Sequence, residues 1–169
     1  MNEISGFVLN HILEFAKSNN LDITSQDKFE DDSWYDYSIF QDFLNQLEKQ
    51  KNKTLWTKAG DEIYPRAIEK NVIEPEENPT NGVINIHKLY IQVVRGDNTG
   101  IWKTRDVQPG FAKIEENTIF PELFTKGVLQ SLLKQYSCIG PMVKQTKSRY
   151  MDDDVYFNEF ELTWMKKVK

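Results

Sequence analysis

Residues with chemical capacity are few and scattered along these 169 residues: two histidines, His11 and His87, and one cysteine, Cys138. A nucleophilic triad needs a histidine oriented by a carboxylate beside a hydroxyl or thiol, and neither histidine lies in a motif that announces one. His11 sits on the apolar stripe Ile4, Phe7, Val8, His11, Ile12 and Phe15, where a hydrogen-bonded core imidazole is the expectation. His87, in "NIHKLYIQVV", reads as a boundary imidazole on a helix, since one histidine is a weak metal signal. Cys138 stands alone, which excludes an internal disulfide and a multi-cysteine zinc site, and it reads as a small packing residue. "RGDNTG" lacks the lysine and the spacing of a phosphate loop and reads as a turn. Glu115 and Glu116 are adjacent, so on a strand they point to opposite faces and cannot work as a pair. The run Asp152, Asp153, Asp154 lacks the spaced oxygen ligands, central glycine and distal glutamate of a calcium loop. It is expected to turn the chain and to bind no metal. No catalytic set converges, and the chain is not expected to be an enzyme.

Composition narrows the partners. Net charge is -5, with basic and acidic residues interleaved, so there is no basic footprint for nucleic acid. No apolar run approaches the roughly 18 residues of a membrane span. The start lacks a basic n-region and a small-residue cleavage site, so no secretory signal is expected and a cytoplasmic protein is the simple reading. Residues 1–169 are read as a single domain, long enough to bury a core.

Periodicity predicts the elements that must position any site. Helices are expected over the opening stripe, over "SIFQDFLNQLEKQ" with Ser38 and Gln41 as a capping box, and over "TLWTKAGDEIYPRAIEKN", broken at Gly60 or Pro65. "EPEENPTNG" reads as loop, and Val83–Val94 as helix despite its β-branched content. Strands are expected at Ile101–Asp106, Gly110–Asn117, Ile139–Tyr150 and Val155–Trp164, with a helix from Glu122 to Tyr136 carrying Gly127 in its middle. The fold class is therefore α+β: N-terminal helices packed on a four-stranded antiparallel sheet, with a helix inserted between the two strand pairs. Gly127 is expected to let that helix approach the sheet closely.

This order of elements resembles a superfamily: the H-NOX haem sensors, the vinyl-reductase-like (4-vinyl reductase) ligand-binding domains and the Bet-type TRAPP subunits. The residues that carry the resemblance are "ISGFVLNHILEFAKSN", "GFAKIEEN", "FPELFTKGVLQSLLKQY" and the closing "FELTW". The resemblance implies a non-catalytic small-molecule binding or sensory module. In H-NOX proteins a histidine on the helix before the first strand ligates haem iron, and His87 occupies a comparable place, with Trp102 where the strand opens. Those proteins also hold the haem propionates with a Tyr-x-Ser-x-Arg motif. Laid against it, this chain offers Ile114, Glu116 and Thr118, and an anionic Glu116 would repel propionates. Haem is therefore disfavoured and no cofactor is expected. The cysteines that some vinyl-reductase-like domains carry near the final hairpin are absent beside Arg149, Tyr150, Asn158 and Glu159, and the lipidated cysteine of TRAPP subunits does not transfer to Cys138.

An apolar pocket is expected between the helical layer and the sheet, lined by His87, Tyr90, Trp102, Phe111, Phe120, Phe124 and Val128, and suited to a small apolar ligand. The alternatives are a protein-interaction or scaffold subunit, forming a homodimer through aromatic residues such as those of "DDSWYDYSIF", and a haem protein using His87.

Overall fold

The computed structural model describes residues 1–24, 28–49, 54–149 and 156–165. The first half runs β1 (Glu3–Ser5), α1 (Gly6–Ser18), β2 (Trp34–Asp36), α2 (Tyr37–Lys49), α3 (Thr54–Gly60), α4 (Ile63–Glu69), α5 (Pro79–Ile84), α6 (Ile86–Val93) and β3 (Val94–Arg95). The three short strands form an antiparallel sheet in the order β2-β1-β3. This sheet was not foreseen, because strands of two or three residues are too short to show alternation. Ile4 consequently belongs to β1, and α1 begins only at Gly6, where a Cβ would meet the backbone of Glu30.

Other boundaries move for local reasons. Asp36, not Ser38, supplies the N-terminal cap of α2: its Oδ1 accepts the Ser38 amide at 2.8 Å. The break after α3 falls at Gly60–Glu62, whereas Pro65 sits in the first turn of α4, where its missing N–H costs nothing. Residues 79–82, expected as loop, are helical: Asn78 caps α5 by accepting the Asn81 amide, and Pro79 stands at the first helical position.

The second half holds β4 (Trp102–Gln108), β5 (Phe111–Glu116), α7 (Glu122–Gln135), β6 (Ile139–Lys147) and β7 (Asn158–Met165). The four strands pair antiparallel in the order β4-β5-β7-β6, with α7 between the two pairs in sequence, as the α+β reading expected. The Asp152–Asp154 turn and Val155 lie outside the described residues. Alternation sets the two faces of the sheet. Ala112, Ile114 and Glu116 of β5 and Phe160, Leu162 and Trp164 of β7 face the helices. Lys113, Glu115 and Glu161 alternate with them, and Lys113 pairs with Glu161 at 3.4 Å on the outer side.

Gly127 serves a contact other than the expected one. A Cβ on it would collide with the Thr57 carbonyl oxygen and stand 2.9 Å from the Gly60 Cα; one on Gly60 would collide with the Phe124 carbonyl. The glycine pair lets α7 cross α3 backbone to backbone. The close approach is helix to helix, and the sheet lies on another side of α7.

Candidate functional site

The residues expected around an interior pocket converge, with two exceptions. Tyr90 from α6, Trp102 from β4, Phe120 from the link before α7, and Phe124 and Val128 from α7 are all buried in one core cluster. Their rings interlock: Tyr90 meets Phe120 edge-on at 5.4 Å between centroids, Phe120 meets Phe124 at 5.1 Å, and Phe40 of α2 lies 5.5 Å from both phenylalanines. Tyr90, Trp102, Phe120 and Val128, with Ile63, Ile86, Leu89 and Val93, enclose about 10 Å³, the scale of a single water. Phe111 does not join them. It alternates with Ala112 and Ile114 and lies on the outer face of β5, opposite Thr163. His87 reaches only the margin: it is half-buried, its Nδ1 accepts the Trp102 amide at 3.4 Å, and its ring is 6.1 Å from that of Tyr90.

Beside this block, residues 117–121 are held by an array of polar groups that sequence reasoning did not assemble. Glu116 is 1% exposed; its Oε1 accepts Asn158 Nδ2 at 2.6 Å, and its Oε2 accepts the Thr118 amide and hydroxyl at 2.7 Å each. Arg149 donates from Nη2 to the Thr118 carbonyl, and its amide reaches Asn158 Oδ1 at 3.0 Å. Burial raises the Glu116 pKa, with the donors Asn158 and Thr118 and the Arg149 charge acting against it. Tyr37 donates to the Ile119 carbonyl, while Tyr90 donates to Thr99 and accepts the Ile119 amide at 3.3 Å. Burial pushes the Tyr90 hydroxyl up to about 12, so it is a neutral donor at ordinary pH. The available signal was a glutamate in the inward register of a strand, which a core tolerates only when its oxygens are satisfied.

His11 is the core histidine its stripe foretold. It is 2% exposed, its Nε2 lies 2.6 Å from the Ala59 carbonyl, and its Nδ1 lies 3.0 Å from Arg66 Nη1. The only neutral form that suits both partners carries its proton on Nε2 and accepts from Arg66. Burial accordingly lowers its pKa to about 4. Cys138 is partly buried at the end of α7, and burial raises its thiol pKa. Among the described residues, no group of three or more His, Cys, Asp or Glu side chains could hold a metal ion. No helix among them is long and apolar enough to cross a membrane.

No protein-family model and no curated protein matches the chain. Solved structures do. A triple mutant of the H-NOX protein from S. oneidensis in the Fe(II) ligation state superposes with a TM-score of 0.71 over 98% of both chains, at 9% identity. The H-NOX protein from S. oneidensis in the Fe(II)NO ligation state gives 0.71 over 96% of this chain and 100% of its own, at 8% identity. The Fe(II) unliganded H-NOX protein from K. algicida gives 0.69 over 98% and 99%, at 9% identity. The fold is H-NOX-like. At such identities the likeness is one of architecture, and whether this chain suits haem depends on its own residues.

They do not fit it. A cofactor pocket of this kind spans several hundred Å³, roughly 300 or more, whereas the space beside Tyr90 and Trp102 is about 10 Å³. The interior there is occupied by the rings of Phe40, Tyr90, Phe120 and Phe124. The positions laid against the propionate motif hold a buried glutamate and a threonine that bond each other, and the nearby Arg149 is directed at a backbone carbonyl.

Proposed function

We propose that this protein is a non-catalytic sensory or binding module built on an H-NOX-like scaffold and working without haem. The observation that carries this reading is the aromatic block: four rings from α2, α6, the 117–121 link and α7 interlock where the expected apolar pocket would lie. A small apolar ligand entering there must first displace Phe120 or Tyr90, so the interior acts as packed core and recognition falls to the surface. Native mass spectrometry of the protein as purified, followed by denaturation and identification of what is released, tests this. The expected result is a chain that releases no haem. Stoichiometric release of haem, lost in a His87→Ala variant, would overturn it.

An interaction subunit of the same fold is a second reading, and the sheet edge supports it. β6 is an edge strand on which Ile139 and Met142 are 47% and 58% exposed, and Met165, paired with Ile139, is 62% exposed. The aromatic stretch considered for such an interface is divided, with Trp34 and Tyr35 half-buried. Tyr37 and Phe40 are buried, and Trp34 lies beneath the Arg95 guanidinium at 4.3 Å. Light scattering at increasing protein concentration checks the homodimer, which would be lost on Met142→Lys.

A further inference from the structure

The outer face of the β4-β5-β7-β6 sheet carries two unlike rows. Strand register aligns Gln108, Phe111, Thr163 and Met142 across the four strands in one row, and Asp106, Lys113, Glu161 and Lys144 in the next. Alternation turns both rows away from the helices, since Ala112, Ile114, Leu162 and Val143 take the inward positions. Every side chain in the two rows is exposed or half-buried. The row beyond them is committed within the chain: Arg105 pairs with Glu115, Lys147 pairs with Glu159 at 3.5 Å, and the Lys147 ammonium lies 5.4 Å from the Phe157 ring centroid.

From β4 to β6 the charged row reads minus, plus, minus, plus, and such a row is complementary to its own reverse. A two-fold axis along the strands, between two facing sheets, sets Asp106 opposite Lys144 of a second copy and Lys113 opposite Glu161 of that copy. The same axis lays the Phe111 and Met142 row on its own reverse. Edge-to-edge pairing is a poorer route to a dimer, because Pro141 has no N–H to give to a ladder and the β6 register shifts on either side of Met142–Gln145. We infer that a second copy of this chain packs on this face, sheet against sheet. Phe111 and Met142 supply apolar area across the ~10 Å between packed sheets, while the charges set register and specificity. The inference rests on the homodimer reading above and specifies its surface.

Asp106 and Lys144 stand on the two edge strands, about 14 Å apart within one chain at ~4.8 Å per strand. They can therefore meet only across the dimer, and neither forms an ion pair among the described residues. Sedimentation equilibrium of the full chain should show a dimer. Lys144→Glu and Asp106→Lys should each weaken it about tenfold, or about 1.4 kcal/mol. An equimolar mixture of the two variants should restore it, as should both substitutions in one chain. Both positions are exposed, and thermal melting verifies that the variants fold. A dimer that neither reversal weakens, or that the combinations fail to restore, would overturn this face and leave the homodimer reading standing. A monomeric mass at every concentration would overturn both.

Discussion

The two sides of α7 are packed by opposite means. Toward α3, Gly127 and Gly60 remove side chains altogether, so the backbones touch. Toward α2 and α6, Phe124 and Val128 meet Phe40, Phe120 and Tyr90, and rings fill the space. The first contact gains stability from closeness and is intolerant of one added carbon. The second gains it from buried apolar area, about 25 cal/mol per Å², and is intolerant of removal. One helix is thus held by a contact that can only be overfilled and another that can only be emptied.

The aromatic side should give the largest effect. Phe124→Ala empties a fully buried ring position and should cost about 3–5 kcal/mol in denaturant unfolding. It should also make room in the interior, so that xenon or benzene, absent from the wild-type core, binds the variant in a crystal. A cost under 1 kcal/mol would mean the rings do not form a packed unit.

Acid should act next, on the glycine side, because His11 ties α1 to the Ala59 carbonyl beside the helix crossing. Its folded pKa of about 4 lies below the ordinary 6.5, so the unfolded chain binds more protons between those values. Stability from this group is complete above pH 6.5 and falls away as pH drops toward 4, by roughly 3 kcal/mol at 1.36 kcal/mol per pH unit. Equilibrium unfolding at a series of pH values should show that slope, and His11→Gln should flatten it.

Gly127→Ala separates the two sides most cleanly. On helix propensity alone it should stabilise by up to about 1 kcal/mol. The collision with the Thr57 carbonyl reverses the sign, and a net loss of about 2–3 kcal/mol is expected from overpacking. A gain in melting temperature would show that α3 and α7 are not in backbone contact. Glu116→Gln should be milder, about 1–2 kcal/mol, because one oxygen that accepts buried donors becomes a donor itself.

What could be read in advance follows from the range of each signal. The four long strands and α7 were legible because alternation and helical spacing repeat over six or more residues, and the apolar stripe of α1 named Phe7, Ile12 and Phe15, all buried, as core. The small sheet was not, since β1, β2 and β3 are too short to repeat anything. Gly127 was visible as a mid-helix glycine, but the sequence does not say which neighbour requires it, and that neighbour proved to be α3. Tyr90, Trp102, Phe120, Phe124 and Val128, expected to line a pocket, lie together in one buried core cluster. Whether large residues line a space or fill it depends on how their rings interlock in three dimensions, which spacing does not encode. Phe111 was grouped with them because its strand register was unknown, and one residue of register decides the face. The bonds that tie Glu116 to Asn158, and Arg149 to Thr118 and Asn158, span up to 42 residues and leave no local pattern.

The central claim is that rings of this chain fill the place where an H-NOX-like scaffold would need room for haem. Titrating the purified protein with haemin while recording its absorption tests it most directly, with His87→Ala alongside. The account predicts the same broad, unsaturating absorbance in both proteins. A sharp Soret band that saturates at one equivalent in the wild type and disappears in His87→Ala would contradict it.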